Sequence, residues 1–411
     1  MSSHDPENQP LDDLEQSRTQ PGTGAAAGEN AAADVAAEAH AAVSSTEADA
    51  FGRGEGVIEA KEVEGLSQGQ IVLRRFTRHK GALAGMIVLG TVALLAITSM
   101  GIGPIPGWWK FQDFLGSGTV QNGGAPTLHL PRWLGGPGFA IGDHPFGQDE
   151  IGRDNFAQVM KGVQTSLFVM TVMGIVQLII GVTIGALSGY YRGRLDMVLM
   201  RFTDMVITLP VIVIGAVLGK LVYTIPTKLN ASDALVNTIH KYLPLELAIA
   251  LGCILWPGMA RLVRSEFMSL REREFVDSAR VAGASDWRII TKHMLPNAMG
   301  VIIVNVTLLM SAAVVLETAL SYLGFGIAQP NISLGNLISA NQGAFATRPW
   351  LFWWPGLFII LIALCVNFIG DGLRDAFDPR QKRIPSQRQM DKAQLKDDRG
   401  LVIETVKEEA K

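Results

Sequence analysis

Stretches without a charged side chain decide what this chain can fold into. Residues 81–100, 165–189 and 349–370 contain no Asp, Glu, Lys or Arg, and residues 298–325 contain one, Glu317. A hydrocarbon core about 30 Å thick is crossed by roughly 20 helical residues. Backbone groups inside lipid must be satisfied within the chain, which selects helices for such runs. Two weaker runs, about 202–223 and 242–260, carry Asp204, Lys220 and Glu246 towards their ends. Six spans follow, at about 81–101, 165–189, 202–223, 242–262, 298–325 and 350–370, and with them an all-α polytopic membrane helical bundle. A mean hydropathy of +0.26 agrees with that class and is high for a soluble enzyme.

Charge sets the orientation and the domain limits. Residues 1–70 hold 14 acidic and 3 basic side chains, whereas the remainder holds 24 acidic and 32 basic. The Ala-, Gly- and Glu-rich segment 1–69 buries too little apolar surface to offset its ordering entropy, so it is predicted to be a disordered acidic tail. It has neither the basic start nor the apolar core of a signal peptide. Arg74, Arg75, Arg78 and Lys80 stand directly before the first span, and basic residues near a span end mark the cytoplasmic side. Segment 261–297 is rich in Arg, while 326–348 has only Arg348. Both termini are therefore expected in the cytoplasm, with a membrane domain over 70–380 and a charged cytoplasmic tail over 381–411. No basic patch with interleaved aromatics points to nucleic acid. The two cysteines, Cys253 and Cys365, fall inside spans and predict neither a disulfide nor a thiolate metal site.

Between two apolar runs lies a charged island, residues 274–297. Phe275, Ala279 and Ala282 fall at i, i+4 and i+7, one face of a helix. Gly283 suits the left-handed residue that ends such a helix. Asp286 falls near the start of a second helix, where the dipole favours its charge, and Pro296 marks the boundary with the next run. The order Asp277-Ser278-Ala279, Gly283, His293, Leu295, Pro296 resembles the EAA loop of ABC importer permeases, with Asp for Glu, Ser for the first Ala and His for Ile. In that family the loop docks into a separate ATPase, so the resemblance assigns ATPase coupling to Asp277, Ser278, Ala279, Gly283, Leu295 and Pro296.

Two other segments narrow the resemblance. The run 144–154, HPFGQDEIGRD, and the run 370–380, GDGLRDAFDPR, are similar to stretches of the C-type subunits of dipeptide, oligopeptide and nickel permeases. The first reads as a structural cap on the second span, since one His with no second His or Cys in reach does not make a metal site. The second reads as a salt-bridged helix end. Trp108, Trp109 and Trp133 are expected as headgroup-level belt residues. Glu317, about 20 residues into its run, is placed near the outer surface, capping or pairing there; lining the translocation path is the second reading, shared with Pro210 and Pro257, which kink their spans. Residues 224–244 and 327–350 read as external loops.

The resemblance implies a bacterial cytoplasmic membrane protein with defined partners: a homologous second permease subunit, two ABC ATPase subunits, an extracytoplasmic substrate-binding protein and the surrounding lipid. ATP and Mg would sit on the ATPases. This chain has no P-loop, His-Glu-x-x-His, Cys-x-x-Cys or Gly-x-Ser-x-Gly signature and is expected to bind no cofactor and to be no enzyme. Import of dipeptides or oligopeptides is the leading reading, nickel import the alternative within the class. An ion-coupled carrier is disfavoured because no charge falls at the centre of a span. A membrane scaffold without transport has only the acidic tail in its favour.

Overall fold

The computed structural model describes residues 68–129, 132, 138–228 and 232–377. The expected tails at 1–67 and 381–411, and Trp133, lie outside them, while residues 68 and 69 already belong to a helix. The elements in order are α1 (Gln68–Arg78), α2 (Lys80–Met100), the two-residue strands β1 (Gly101–Ile102), β2 (Ile105–Pro106), β3 (Leu128–His129) and β4 (Ala140–Ile141), then α3 (Asn155–Tyr191), α4 (Gly193–Ile207), α5 (Val211–Lys228), α6 (Asp233–Leu255), α7 (Pro257–Arg271), α8 (Glu274–Val281), α9 (Asp286–Arg288), a π-helical stretch (Ile289–Met294), α10 (Leu295–Tyr322), α11 (Leu334–Asn341) and α12 (Trp350–Phe377). The strands form two small antiparallel hairpins, β1–β2 and β3–β4.

Among the described residues, four helical stretches are long and apolar enough to cross a membrane: α2, α3, Asp286–Tyr322 and α12. Two bent pairs, Gly193–Ile207 with Val211–Leu221 at 78° and Lys241–Leu255 with Pro257–Arg271 at 46°, bring the number to six if each is one span. The third and fourth expected spans are thus broken helices. Pro210 lacks the N–H that would continue α4 and biases Leu209 away from helical geometry; Pro257 opens α7 at the second break.

The helices outrun the apolar runs. The second expected span, 165–189, is the middle of 37-residue α3, and the expected external link 224–244 is helical up to Lys228 and again from Asp233. A charged residue marks the edge of the hydrocarbon, not the end of a helix, because extending a formed helix costs little. Loop 327–350 likewise holds α11, whose Ser333 side chain accepts the Asn336 N–H at 3.3 Å.

In lipid the helices gain little from the hydrophobic effect against one another, so close backbone approach matters more. Helices α3 and α7 approach closely along Gly181, Gly185 and Gly189, four residues apart. A Cβ at these positions would stand 2.6 Å from Met259 Cβ, 2.7 Å from Val263 Cβ and 2.6 Å from Phe267 Cβ. Three buried clusters follow from this packing: one at the loop end of the bundle, joining α3, α7, α8 and α10; one midway, joining α3, α6 and α10; and one at the far end, joining α2, α3, α11 and α12. A fourth, Phe76, Ala82 and Ala376, fastens α1 to α12.

A hinged helix pair and its links into the bundle

Helix α8 is only two turns long and owes its stability to its ends and one anchor. Glu274 and Asp277 lie in its first turn and Arg280 in its last, each matching the dipole. Val276 is fully buried, in the cluster that also holds Phe267, Ile289, Ile290 and Met294, a burial contributing about 1.5–3 kcal/mol. The buried face is therefore Val276 with partly buried Ala279. Phe275 and Ala282, expected on that face, are exposed. Eight residues with four scattered apolar side chains do not define one face by period alone.

Gly283 ends α8 at φ +80°. The Ala284 N–H reaches Ala279 C=O at 3.0 Å and the Gly283 N–H reaches Arg280 C=O at 3.0 Å, the paired bonds of a Schellman cap. No atom crowds a Cβ there, so the demand for glycine is purely conformational. The chain then re-enters helix at Asp286 and runs on into α10. The second helix is thus the start of the fifth span and no separate piece. Pro296 does not break it: the π-helical turn before it lets Leu295 N–H bond Ile290 C=O, absorbing the donor that proline lacks.

Of the residues assigned by motif, Asp277 pairs with Arg280 at 2.9 Å and the Ser278 hydroxyl donates to Glu274 C=O at 2.9 Å; both side chains face outward. Leu295 packs against the loop-end cluster and Pro296 is exposed. Three apolar side chains around the hinge lack cover: Phe275 is 38% exposed, Trp287 70% and Val281 90%.

Polar links tie the hinge to the bundle, and sequence reasoning missed them. Tyr190 Oη, at the end of α3, donates to Asp286 at 2.7 Å. Arg264 of α7 grips Asp196 of α4 with two hydrogen bonds, 2.6 and 2.7 Å, and Ser188 also donates to Asp196. Arg261 of α7 meets Asp204 of α4 at 2.6 Å, and Arg192 meets Glu272 at 2.7 Å. The glycine spacing 181, 185, 189 was the available signal for the α3–α7 seam; the Arg–Asp pairs lie 57 and 68 residues apart and leave none.

Glu317 is 1% exposed, enclosed by protein and not at an outer surface. Ser166 of α3 donates to it at 3.1 Å and Ser321 at 2.7 Å, with Ser333 as a third hydroxyl partner. Its hydrogen bonds therefore join α3, α10 and the start of α11. Pro210 is exposed at the α4–α5 bend, and Pro257 is buried at the α6–α7 bend.

At the other end of the molecule Asp154 caps α3, accepting the Ala157 N–H at 2.9 Å, the Trp109 indole N–H at 2.8 Å and meeting His144 Nδ1 at 2.9 Å. Burial holds the Asp154 carboxyl above its usual range, against the hydrogen bonds from His144, Ala157 and Trp109. Asp143, exposed nearby, is held low by the Lys110 ammonium. Trp109, expected in a belt, is 7% exposed and packs on Phe156, while Trp108 lies outside against it. At the close of α12, Asp375 faces His79 at 3.4 Å.

The described helices thus form a bundle with two proline-broken members and a hinged segment held by Val276, by Tyr190–Asp286 and by its run into α10. Comparison with known proteins names the class. A family model described as "Binding-protein-dependent transport system inner membrane component" matches residues 181–383, and one described as "N-terminal TM domain of oligopeptide transport permease C" matches residues 67–110. The oligopeptide transport system permease protein OppC of Haemophilus influenzae is 34% identical over 331 residues, 79% of this chain and 93% of the relative. OppC of Mycobacterium tuberculosis is 32% identical over 318 residues, 77% and 97%. The dipeptide transport system permease protein DppC of Bacillus subtilis is 34% identical over 325 residues, 77% and 88%. Among solved structures, the inward-facing methionine ABC transporter MetNI aligns with TM-score 0.41 at 18% identity, over 54% of this chain and 97% of that one. The chain belongs to the family of binding-protein-dependent transport system inner membrane components. It is a multi-pass transport subunit, and the family is one of permeases and not of enzymes.

Proposed function

We propose that the chain is the C-type permease subunit of an ATP-driven importer of dipeptides and oligopeptides in the bacterial cytoplasmic membrane, with both termini in the cytoplasm. It forms half of the translocation path with a homologous second permease subunit. Two ABC ATPase subunits hold the ATP and Mg, and an extracytoplasmic binding protein delivers substrate. The relatives above named for oligopeptides and dipeptides favour peptide over nickel.

The hinge at Gly283 carries the reading. Phe275, Val281 and Trp287 offer an uncovered apolar face beside the motif residues Asp277, Ser278 and Ala279, a surface for an ATPase groove. Displacement of α8 acts through Val276 on α7 and α10 and through Asp286 on Tyr190 of α3. Helix α7 in turn holds α4 by Arg264–Asp196 and Arg261–Asp204, so α4 moves with it. Beyond the Pro210 bend, exposed Ile212, Val213 and Val217 of α5 supply a face for the second permease and a wall of the path. In this account Pro210 and Pro257 are the points of flexure, and Glu317 holds the bundle wall beside the path. Reconstitution tests it: co-purified permeases and ATPases in proteoliposomes should take up peptide only with ATP and binding protein. Uptake driven by an ion gradient without ATP overturns it.

A further inference from the structure

A groove between α2, α3 and α6 takes no part in these links. It encloses about 740 Å³, within the roughly 300–1,000 Å³ of small-molecule sites. Its body is apolar, with Leu89 and Ile97 of α2, Phe168 of α3 and Leu245 of α6 along it. Ile97 is 41% and Phe168 46% exposed, so the groove lies open along the outer face of the bundle. Its rim is cationic: Lys161 of α3 and Lys241 of α6 both line it, and no Asp or Glu does. Lys161 Nζ donates to Gln164 at 3.0 Å and stands 5.8 Å from the Phe114 ring centroid; Lys241 Nζ stands 5.9 Å from that of Tyr242. Among the described residues no carboxylate pairs with either ammonium.

Depth adds a second constraint. Lys161 lies just before the charge-free run 165–189, and Lys241 directly before the apolar run that begins at Tyr242. Both charges therefore stand at headgroup level on one side of the membrane, with the apolar body of the groove running from them towards the hydrocarbon. A neutral lipid would leave both ammonium groups unmatched, and a helix of another subunit would have to bring a carboxylate to a position where membrane helices rarely carry one.

We propose that this groove holds an anionic glycerophospholipid, its phosphate between Lys161 and Lys241 and an acyl chain along Leu89, Ile97, Phe168 and Leu245. The leaflet, the outer one, rests on the orientation proposed above; the site does not. Native mass spectrometry of the intact transporter, purified with its partner subunits, reads the bound lipid directly. The wild type and the Lys161→Arg/Lys241→Arg variant should retain phosphatidylglycerol or cardiolipin. The Lys161→Gln/Lys241→Gln variant should bind it roughly ten- to thirty-fold more weakly, the scale of two basic side chains at an anionic surface, while Lys110→Gln, outside the groove, should not change it. A photoreactive benzophenone side chain at position 168 should form a lipid adduct. Equal retention in the Gln variant, retention of zwitterionic lipid alone, or an adduct with the second permease subunit in place of lipid overturns the proposal.

Discussion

Gly283 and Glu317 show two different ways in which one residue constrains this molecule. At Gly283 the constraint is the backbone: φ is +80° and open space surrounds the position. Gly283→Val places a β-branched side chain where the left-handed region costs on the order of 1–2 kcal/mol or more, whereas Gly283→Asn keeps that geometry accessible. ATP-driven uptake should fall by roughly ten-fold or more for Val and stay near wild type for Asn, with both proteins present in the membrane. At Glu317 the constraint is hydrogen bonding. Glu317→Leu strands the Ser166 and Ser321 hydroxyls that now donate to it, at about 1–3 kcal/mol for each buried group left unpaired. Glu317→Gln keeps one carbonyl acceptor. Thermal unfolding of the purified assembly should therefore begin at lower temperature for Leu than for Gln. The motif spacing made Gly283 legible; the burial of Glu317 was not, because counting residues along a span gives depth and says nothing about which side faces protein.

Elements behave according to their seams. The α3–α7 seam rests on three glycines facing Met259, Val263 and Phe267, so Gly185→Leu should separate the helices and lower yield and thermal stability of the assembly. Gly90→Ala, on α2 with nothing near, should leave both unchanged or improve them by up to about 1 kcal/mol. The links between α4 and α7 make a different prediction. Arg264→Gln removes the two-pronged hold on Asp196 and should lower uptake while ATP hydrolysis by the partner subunits continues, seen as a reduced ratio of peptide moved to ATP consumed. An unchanged ratio would show that α4 is driven through another contact. Existence of the helices was legible from charge-free runs, and their ends were not, since α3 extends well beyond the run that revealed it. The face of α8 was misread as well: two turns hold too few apolar positions to separate Val276 from Phe275.

Across the described bundle, three separate buried clusters are strung along α3: one at the hinge end with α7 and α10, one midway with α6 and α10, and one at its capped start with α2, α11 and α12. The class of bundle and the glycine-ended helix before Gly283 were readable because lipid and local turn chemistry impose strong patterns. Pro210 and Pro257 marked where the bends fall, though not their angles of 78° and 46°, whereas the paired charges across α4 and α7 arise from contacts distant in sequence that no local pattern records. The central claim is that the hinge end faces the cytoplasm and meets a nucleotide-hydrolysing partner. Its most direct measurement uses Trp287→Cys with Cys253 and Cys365 replaced by alanine, in the complete transporter, with disulfide or maleimide cross-linking. The account predicts a cross-link to the ATPase subunit that changes in yield between ATP-bound and nucleotide-free states, and protection from an impermeant thiol reagent added outside. Labelling from outside, or no cross-link to the ATPase in any nucleotide state, would contradict it.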